Sequence, residues 1–152
     1  MSFVVKYPDR PALLEPMICL AKEELAHFHE VYREIHKLGL QLTPDEKDPY
    51  VKGLLGQVRH GREEHFLDRL LVSAVIEARG GERFKLVGEH LADQRLADWY
   101  RRLGREEAGH YKIFLNIARH YFDRDYVDRR LNELLDFEGE FMLTIPHRAR
   151  VH

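Results

Sequence analysis

The sequence contains two Glu-x-x-His pairs, Glu24 with His27 and Glu107 with His110, both where a helical pattern would place apolar side chains. Residues three apart lie on one helix face, about one turn from each other. A carboxylate and an imidazole at that spacing can bind one transition-metal ion together. Because an unpartnered carboxylate is costly to bury, these positions predict either a metal site or buried salt bridges to arginine.

A third glutamate, Glu77, lies on the apolar stripe of another predicted helix. In a chain with ten histidines, about one Glu-x-x-His pair is expected by chance, so the pairs alone are a modest signal. Their position on apolar stripes favours the metal site over the salt bridges. Two Glu-x-x-His helices, with one Glu from each of two further helices, are the pattern of ferritin-like di-iron bundles.

Apolar residues recur at spacings of three and four along most of the chain, which is typical of amphipathic helices. We expect long helices over 11–39, 62–91, 94–122 and 124–142, and a short helix near 50–55. Residues 2–6 resemble the last turns of a helix whose beginning is absent. The sequence predicts an all-α fold: a ferritin-like four-helix bundle with its first helix largely missing and an extra C-terminal helix. We expect a single domain over 1–152.

The predicted helices over 62–91 and 94–122 define a register that brings two glutamates together. If these helices fold back antiparallel around Ala92, Glu77 and Glu107 lie at one level, since each is fifteen residues from that turn. Glu82 lies nearer the turn and off the apolar stripe. We therefore prefer Glu77 as the ligand and expect Glu82 to pair with an arginine.

Counting residues from the turn near Asp9 in the same way predicts a missing ligand. Glu24 is fifteen residues after Asp9, so its partner across that turn would lie before Met1. A symmetric site of six ligands would then lack one carboxylate. Either the sequence begins late or another subunit supplies that residue.

Composition restricts the class of protein. The formal net charge of −2 gives no global field to attract nucleic acid, so any RNA contact must come from local basic patches. Cys19 is the single cysteine, which excludes an intramolecular disulfide and suits a reducing cytoplasm. No apolar run is long enough to span a bilayer.

Four segments resemble a known family: "LAKEELAHF", "VIEARGGERF", "REEAGHY" and the closing "PHRARVH". They are similar to the tRNA 2-methylthio-N6-isopentenyladenosine hydroxylases, the MiaE family, and the resemblance covers essentially the whole chain. It implies a ferritin-like, non-haem di-iron monooxygenase. Such an enzyme hydroxylates the isopentenyl group of a modified adenosine beside the tRNA anticodon, using O2 and an external electron donor.

The resemblance also implies roles for the five residues found above. Glu24 and His27 would bind one iron, Glu107 and His110 would match them on the other side, and Glu77 would bridge or cap. The family has an upstream helix with a further Glu ligand, which this sequence lacks. That departure agrees with the ligand predicted to lie before Met1.

Apolar and basic residues are candidates for substrate contacts. Phe28, Leu103 and Phe114 could line a pocket for the prenyl group, although each also suits ordinary core packing. Several arginines could contact tRNA phosphates or lie on solvated helix faces: Arg101, Arg102, Arg105, Arg129, Arg130, Arg148 and Arg150.

Two alternatives to the hydroxylase remain open: a ferritin-like metal-binding or storage protein, and an inactive truncated helical module. Because a lost helix would expose apolar faces of its neighbours, we also predict a homodimer. A tRNA substrate places the protein in the cytoplasm.

Overall fold

The computed structural model describes residues 2–44 and 46–145. Within these ranges the chain forms six α-helices and no strand, which confirms the all-α prediction. The chain divides into two compact units, Met1–Glu46 and Lys47–His152. The prediction of a single domain stays a prediction. None of the described helices is both long and apolar enough to cross a bilayer.

The first unit consists of a short helix, α1 (Ser2–Lys6), and a long helix, α2 (Pro11–Lys37). Pro11 occupies the first turn of α2, where its fixed φ suits the helix and its missing N–H costs no hydrogen bond. Gly39 follows the end of α2 with a φ of 70°, a left-handed conformation that glycine adopts without steric cost. Local sequence therefore sets both ends of α2.

The buried face of α2 is shorter than its apolar stripe. Met17 and Leu20 are buried, but Val31, further along the same stripe, is 37% exposed. Within this unit α1 has 5 residues and α2 has 27, so the unit's own helices can bury only the first turns of the stripe. Within this unit the second half of the stripe is therefore not covered, and the prediction that it faces a core stays a prediction.

The second unit contains four helices: α3 (Pro49–Leu55), α4 (Arg62–His90), α5 (Gln94–Tyr121) and α6 (Arg124–Met142). Three of them begin at an aspartate whose carboxylate accepts a backbone N–H bond at 2.7–3.1 Å: Asp48, Asp93 and Asp123. Such caps satisfy N–H groups that have no partner inside the helix. The sequence predicted each of these helices to within one or two residues of its ends.

Helices α4 and α5 form a long antiparallel pair, and residues 91–93 make the turn between them. Leu70 and Ala74 of α4 and Leu103 and Ile117 of α5 are buried. Because the predicted turn near Ala92 is confirmed, the register inferred from it can be tested directly in the site below.

A buried aspartate joins three parts of the second unit. Asp68 of α4 is fully buried and accepts hydrogen bonds from the side chains of Arg59, in the α3–α4 loop, and Arg130, on α6, at 2.8–3.1 Å. It also accepts the backbone N–H of Arg59 at 3.0 Å, and Arg130 donates to the carbonyl of Gln57. Since every bond involves a charged group and the Asp68 carboxylate is fully buried, this cluster fixes α6 and the loop against α4.

A second buried carboxylate, Glu138, joins α6 to α3 and α4. Arg79 donates two hydrogen bonds to it at 2.8 and 2.7 Å, and the hydroxyl of Tyr50 donates a third at 3.2 Å. Burial raises the pKa of Tyr50, and the neighbouring Glu138 raises it further. The phenol therefore stays protonated and acts as a donor.

Replacing Tyr50 with Phe is expected to lower the free energy of unfolding by about 1–2 kcal/mol, since it removes one hydrogen bond to a buried charged acceptor. The ring itself stays in place, so packing changes little. Urea denaturation followed by circular dichroism measures the difference. A Tyr50→Phe variant as stable as the unsubstituted chain would show that the bond to Glu138 contributes nothing.

Candidate metal centre

The register of α4 and α5 brings Glu77, Glu107 and His110 together. Glu77 lies on α4, and Glu107 and His110 lie one turn apart on α5. Each offers a ligand atom within 4.8 Å of the others. This meeting of Glu77 and Glu107 is the arrangement expected from their equal distance to the turn.

The imidazole of His110 lies between the two carboxylates. Its Nδ1 is 3.3 Å from Oε2 of Glu107 and 3.6 Å from Oε2 of Glu77. The side chain of His110 is 2% exposed, that of Glu107 is 10% exposed and that of Glu77 is 18% exposed. The site is therefore largely dry, which strengthens every electrostatic interaction within it.

The donor set fits a divalent metal ion. Two carboxylates this close repel each other unless a cation or a proton compensates their charge. Oxygen and imidazole ligands suit iron or manganese better than metals that prefer thiolates. The only cysteine of the chain, Cys19, is exposed on α2 and belongs to the first unit. The cluster in the second unit thus has the chemistry expected of a carboxylate-rich site.

The other Glu-x-x-His pair lies on α2, in the first unit. Nδ1 of His27 is 3.8 Å from Oε1 of Glu24, so the pair shares one helix face as predicted. The side chain of His27 is 13% exposed, but that of Glu24 is 48% exposed. Glu24 is thus about half-exposed, and its role as a metal ligand stays a prediction.

The predicted prenyl contacts divide into two groups. Leu103 and Phe114 are buried on α5, on the face that carries Glu107 and His110. Phe28 of α2 is 57% exposed, and its contact with the prenyl group stays a prediction. Like Glu24, it lies on the second half of α2, where the stripe is exposed.

Two of the three arginines of the α5 cluster are held by neighbours on the helix pair. Arg101 donates to the carbonyl of Gly88 and to Asp98, both at 2.7 Å. Arg102 donates to Glu106 at 3.0–3.1 Å. Arg105 is exposed. Their contact with tRNA stays a prediction, and Arg148 and Arg150 lie outside the described residues.

The expectation that Arg130 contacts a tRNA phosphate is not supported by its position. Its side chain is 14% exposed and is bound to Asp68, so it serves the buried cluster and is a poor candidate for a phosphate contact. Arg129, its neighbour, is exposed. Helical spacing shows that successive residues differ in direction, but only the tertiary partner Asp68 shows which of the two points inward.

The structure also contains two buried carboxylates, Asp68 and Glu138, that are not among the predicted site residues. Both form buried salt bridges with arginine, which was the alternative to a metal site for the Glu-x-x-His pairs. Glu138 follows Leu131 and Leu134 on the buried stripe of α6, so its spacing in the sequence indicates a buried carboxylate. As predicted, Glu82 pairs with an arginine, at 2.6 Å from Arg79.

Comparison with known proteins gives consistent matches over 92% or more of the chain. The family model described as MiaE, tRNA-(MS[2]IO[6]A)-hydroxylase, matches residues 1–152. A tRNA 2-(methylsulfanyl)-N(6)-isopentenyladenosine(37) hydroxylase of Pseudomonas putida is 34% identical over 152 residues, which are 100% of this chain and 74% of that protein. The Salmonella typhimurium enzyme of the same name is 31% identical over 140 residues, 92% of this chain and 51% of that protein.

A solved structure supports the fold. The chain is similar to "Protein 43 with aldehyde deformylating oxygenase activity from Synechococcus", with a TM-score of 0.90 and 31% identity, over 99% of this chain and 74% of that one. This likeness to a ferritin-like oxygenase confirms the predicted fold class. With the family model matched over all 152 residues and two relatives above 30% identity, the chain belongs to the MiaE family of tRNA hydroxylases.

Proposed function

We propose that this chain is an O2-dependent tRNA hydroxylase that acts on the isopentenyl group of 2-methylthio-N6-isopentenyladenosine beside the anticodon. The observation that carries the proposal is the meeting of Glu77, Glu107 and His110 within 4.8 Å, in a chain that matches the hydroxylase family throughout. The named relatives act on this nucleoside. A carboxylate and imidazole cluster is the chemistry that an oxygen-activating iron site requires.

A non-haem di-iron centre would be held by five residues of this chain: Glu24, His27, Glu77, Glu107 and His110. When bound, it would supply the activation of O2 for insertion of one oxygen atom into a C–H bond. The other oxygen atom leaves as water, and an external donor provides two electrons with two protons. The ligands in the second unit are already close together, which lowers the cost of ordering them around a metal.

The protein's own residues would bind the substrate and exclude water from the site. Leu103 and Phe114 share the ligand-bearing face of α5, so an apolar prenyl group would find apolar neighbours close to the ligands. Local clusters of basic side chains would contact the tRNA backbone, since the chain as a whole is slightly acidic. We assign that role to Arg101, Arg102, Arg105, Arg148 and Arg150.

The surroundings of the reaction follow from this proposal. A tRNA substrate places the chain in the cytoplasm, and the need for two electrons requires an external donor protein or small reductant.

Apolar side chains are exposed on α2, among them Leu25 at 68% and Phe28 at 57%. Such a surface favours association, so we propose a homodimer. Sedimentation of a single monomeric species would contradict that assembly.

Aldehyde deformylation is a second candidate function. It is supported by the 31% identity and TM-score of 0.90 to the Synechococcus protein. Both activities require a site for O2 activation beside an apolar substrate, so the ligand cluster alone does not separate them. The tRNA substrate is favoured because the family model and both named relatives are tRNA hydroxylases.

The test supplies each substrate to the same enzyme. The full chain is loaded with Fe(II), reduced and exposed to O2 with tRNA that carries the prenylated, methylthiolated adenosine. We expect mass spectrometry of the digested tRNA to show one added oxygen atom in that nucleoside. Iron-loaded protein that leaves the tRNA unchanged and removes the formyl group from an added aliphatic aldehyde would reject the hydroxylase in favour of the second candidate.

A further inference from the structure

We propose that the contact between Gly81 and Gly104 is a positioning device that sets the separation of Glu77 and Glu107 for metal binding. This inference rests on the proposed function, because it deepens the account of the same metal centre. It assigns a role to two residues that carry no ligand atom of their own. The role follows from how closely their backbones approach each other.

The two glycines bring the backbones of α4 and α5 into direct contact. A Cβ atom at Gly104 would lie 3.0 Å from the carbonyl oxygen of Gly81 and 3.3 Å from the backbone nitrogen of Lys85. A Cβ atom at Gly81 would lie 3.1 Å from the carbonyl oxygen of Gly104. These neighbours are backbone atoms, which cannot rotate out of the way, so an added methyl group fits only if the two backbones separate by a few tenths of an ångström.

The contact lies in the layer next to the metal ligands. Gly81 is one turn after Glu77 on α4, and Gly104 is about one turn before Glu107 on α5. A Cβ atom at Gly81 would also lie 3.4 Å from Cβ of Glu107. The distance between the helices at the glycines therefore determines the distance between the two carboxylates one turn away.

The outer side of this contact is open. A surface groove of about 530 Å³ runs along α4 and α5, and small residues form part of its lining: Ala78, Gly81, Gly104 and Ala108. The close approach of the helices at this level thus depends on the absence of side chains. A larger residue at this position of either helix would therefore separate α4 from α5.

Metal ligands tolerate little displacement. Bond lengths in metal sites hold to about ±0.2 Å, and functional groups must keep their geometry to within about 0.5 Å. Relief of a 3.0 Å contact requires a shift of a few tenths of an ångström. This shift is as large as the displacement that metal ligands tolerate. Gly104→Ala should therefore weaken metal binding although it removes no ligand.

Two other glycines provide matched controls. A Cβ atom at Gly88 would lie 2.8 Å from Cγ of Arg101 and 2.9 Å from the carbonyl oxygen of Ala97. Gly88→Ala thus disturbs the same helix pair at least as strongly, about 16 Å along α4 from Glu77. At Gly109, next to His110, a Cβ atom meets nothing within 4 Å.

The experiment titrates each full-length variant with Co(II) and follows the visible absorption of the bound ion, with urea unfolding measured in parallel. We expect Gly104→Ala to raise the Kd by ~10-fold or more, the range found when residues that support metal ligands are lost. Gly88→Ala and Gly109→Ala should stay within about threefold of the unsubstituted chain. The Kd of Gly81→Ala should lie between these values. This variant replaces Gly104→Ala in the experiment if Gly104→Ala does not fold.

Two results would overturn the positioning role. One is a Kd for Gly104→Ala within threefold of the unsubstituted value. The other is an equal loss of Co(II) affinity in Gly88→Ala at an equal loss of stability, which would show a general packing effect. A failure of the unsubstituted chain to bind Co(II) is a different result, because it rejects the proposed metal centre itself.

Discussion

Replacing Glu107 with Gln is expected to lower iron affinity by about 100-fold or more and to abolish hydroxylation. Loss of a residue that only supports a ligand already costs 10–100-fold in metal sites, and Glu107 is proposed as a ligand itself. The glutamine amide has nearly the same shape but no negative charge. The fold should persist, since Glu107 lies on a helix whose other contacts remain. Iron content after anaerobic loading and desalting measures the effect.

The neighbouring residue supplies the control for this variant. Glu106 lies beside Glu107 on α5 and pairs with Arg102 at 3.0 Å. Glu106→Gln removes the same charge from the same turn and should retain iron and activity, because exposed ion pairs contribute little. If Glu107→Gln held iron as tightly as Glu106→Gln does, Glu107 would not be a ligand.

Replacing Asp68 with Ala is expected to destabilise the second unit by about 3–5 kcal/mol, the cost of removing one partner from a buried ion pair. The change leaves Arg59 and Arg130 facing each other without the carboxylate that binds both. Urea denaturation measures the loss. Asp128→Ala is the matched control, because Asp128 pairs with Arg119 at 2.6 Å but is 41% exposed, and such pairs contribute about 0–1 kcal/mol.

The Asp68 cluster also makes stability depend on pH. Burial alone would raise the pKa of Asp68, but hydrogen bonds from Arg59 and Arg130 outweigh it and hold the pKa below its ordinary value of 3.8. A lowered folded-state pKa gives stability that is complete above the ordinary pKa and is lost as the pH falls through the folded-state value. Below about pH 4 the unsubstituted chain should therefore lose stability more steeply than Asp68→Asn. Parallel pH curves would contradict this.

The helices were predictable because their signals are local. Aspartates at positions 48, 93 and 123 mark helix starts, and apolar spacing marks the buried faces. The register of α4 and α5 was also predictable. Because the turn near Ala92 is short, residues equally far from it on the two helices lie side by side. Glu77 and Glu107 could thus be paired before any coordinates were known.

The roles of single carboxylates were harder to predict. Glu107 and Glu138 both lie on apolar stripes, and their spacing within the helix looks the same. Arg79, 59 residues away in sequence, binds Glu138, whereas His110, on the same turn, faces Glu107. Only the packing of α6 against α4 separates a structural carboxylate from a candidate ligand.

Burial along α2 was predictable only in part. The apolar stripe continues past Glu24, yet Phe28 and Val31 are exposed. Spacing shows which residues share a face, but burial depends on whether another helix covers that face. The closeness of Gly81 and Gly104 is a tertiary property of the same kind, since an isolated glycine in a helix gives no signal of its partner.

Anomalous diffraction would show whether Glu77, Glu107 and His110 bind iron. Crystals of the full chain loaded with Fe(II) under anaerobic conditions would be measured on both sides of the iron absorption edge. We expect an anomalous peak within bonding distance of the carboxylates of Glu77 and Glu107 and the imidazole of His110. Iron-loaded crystals with no peak there, or with the peak at another group of residues, would contradict it.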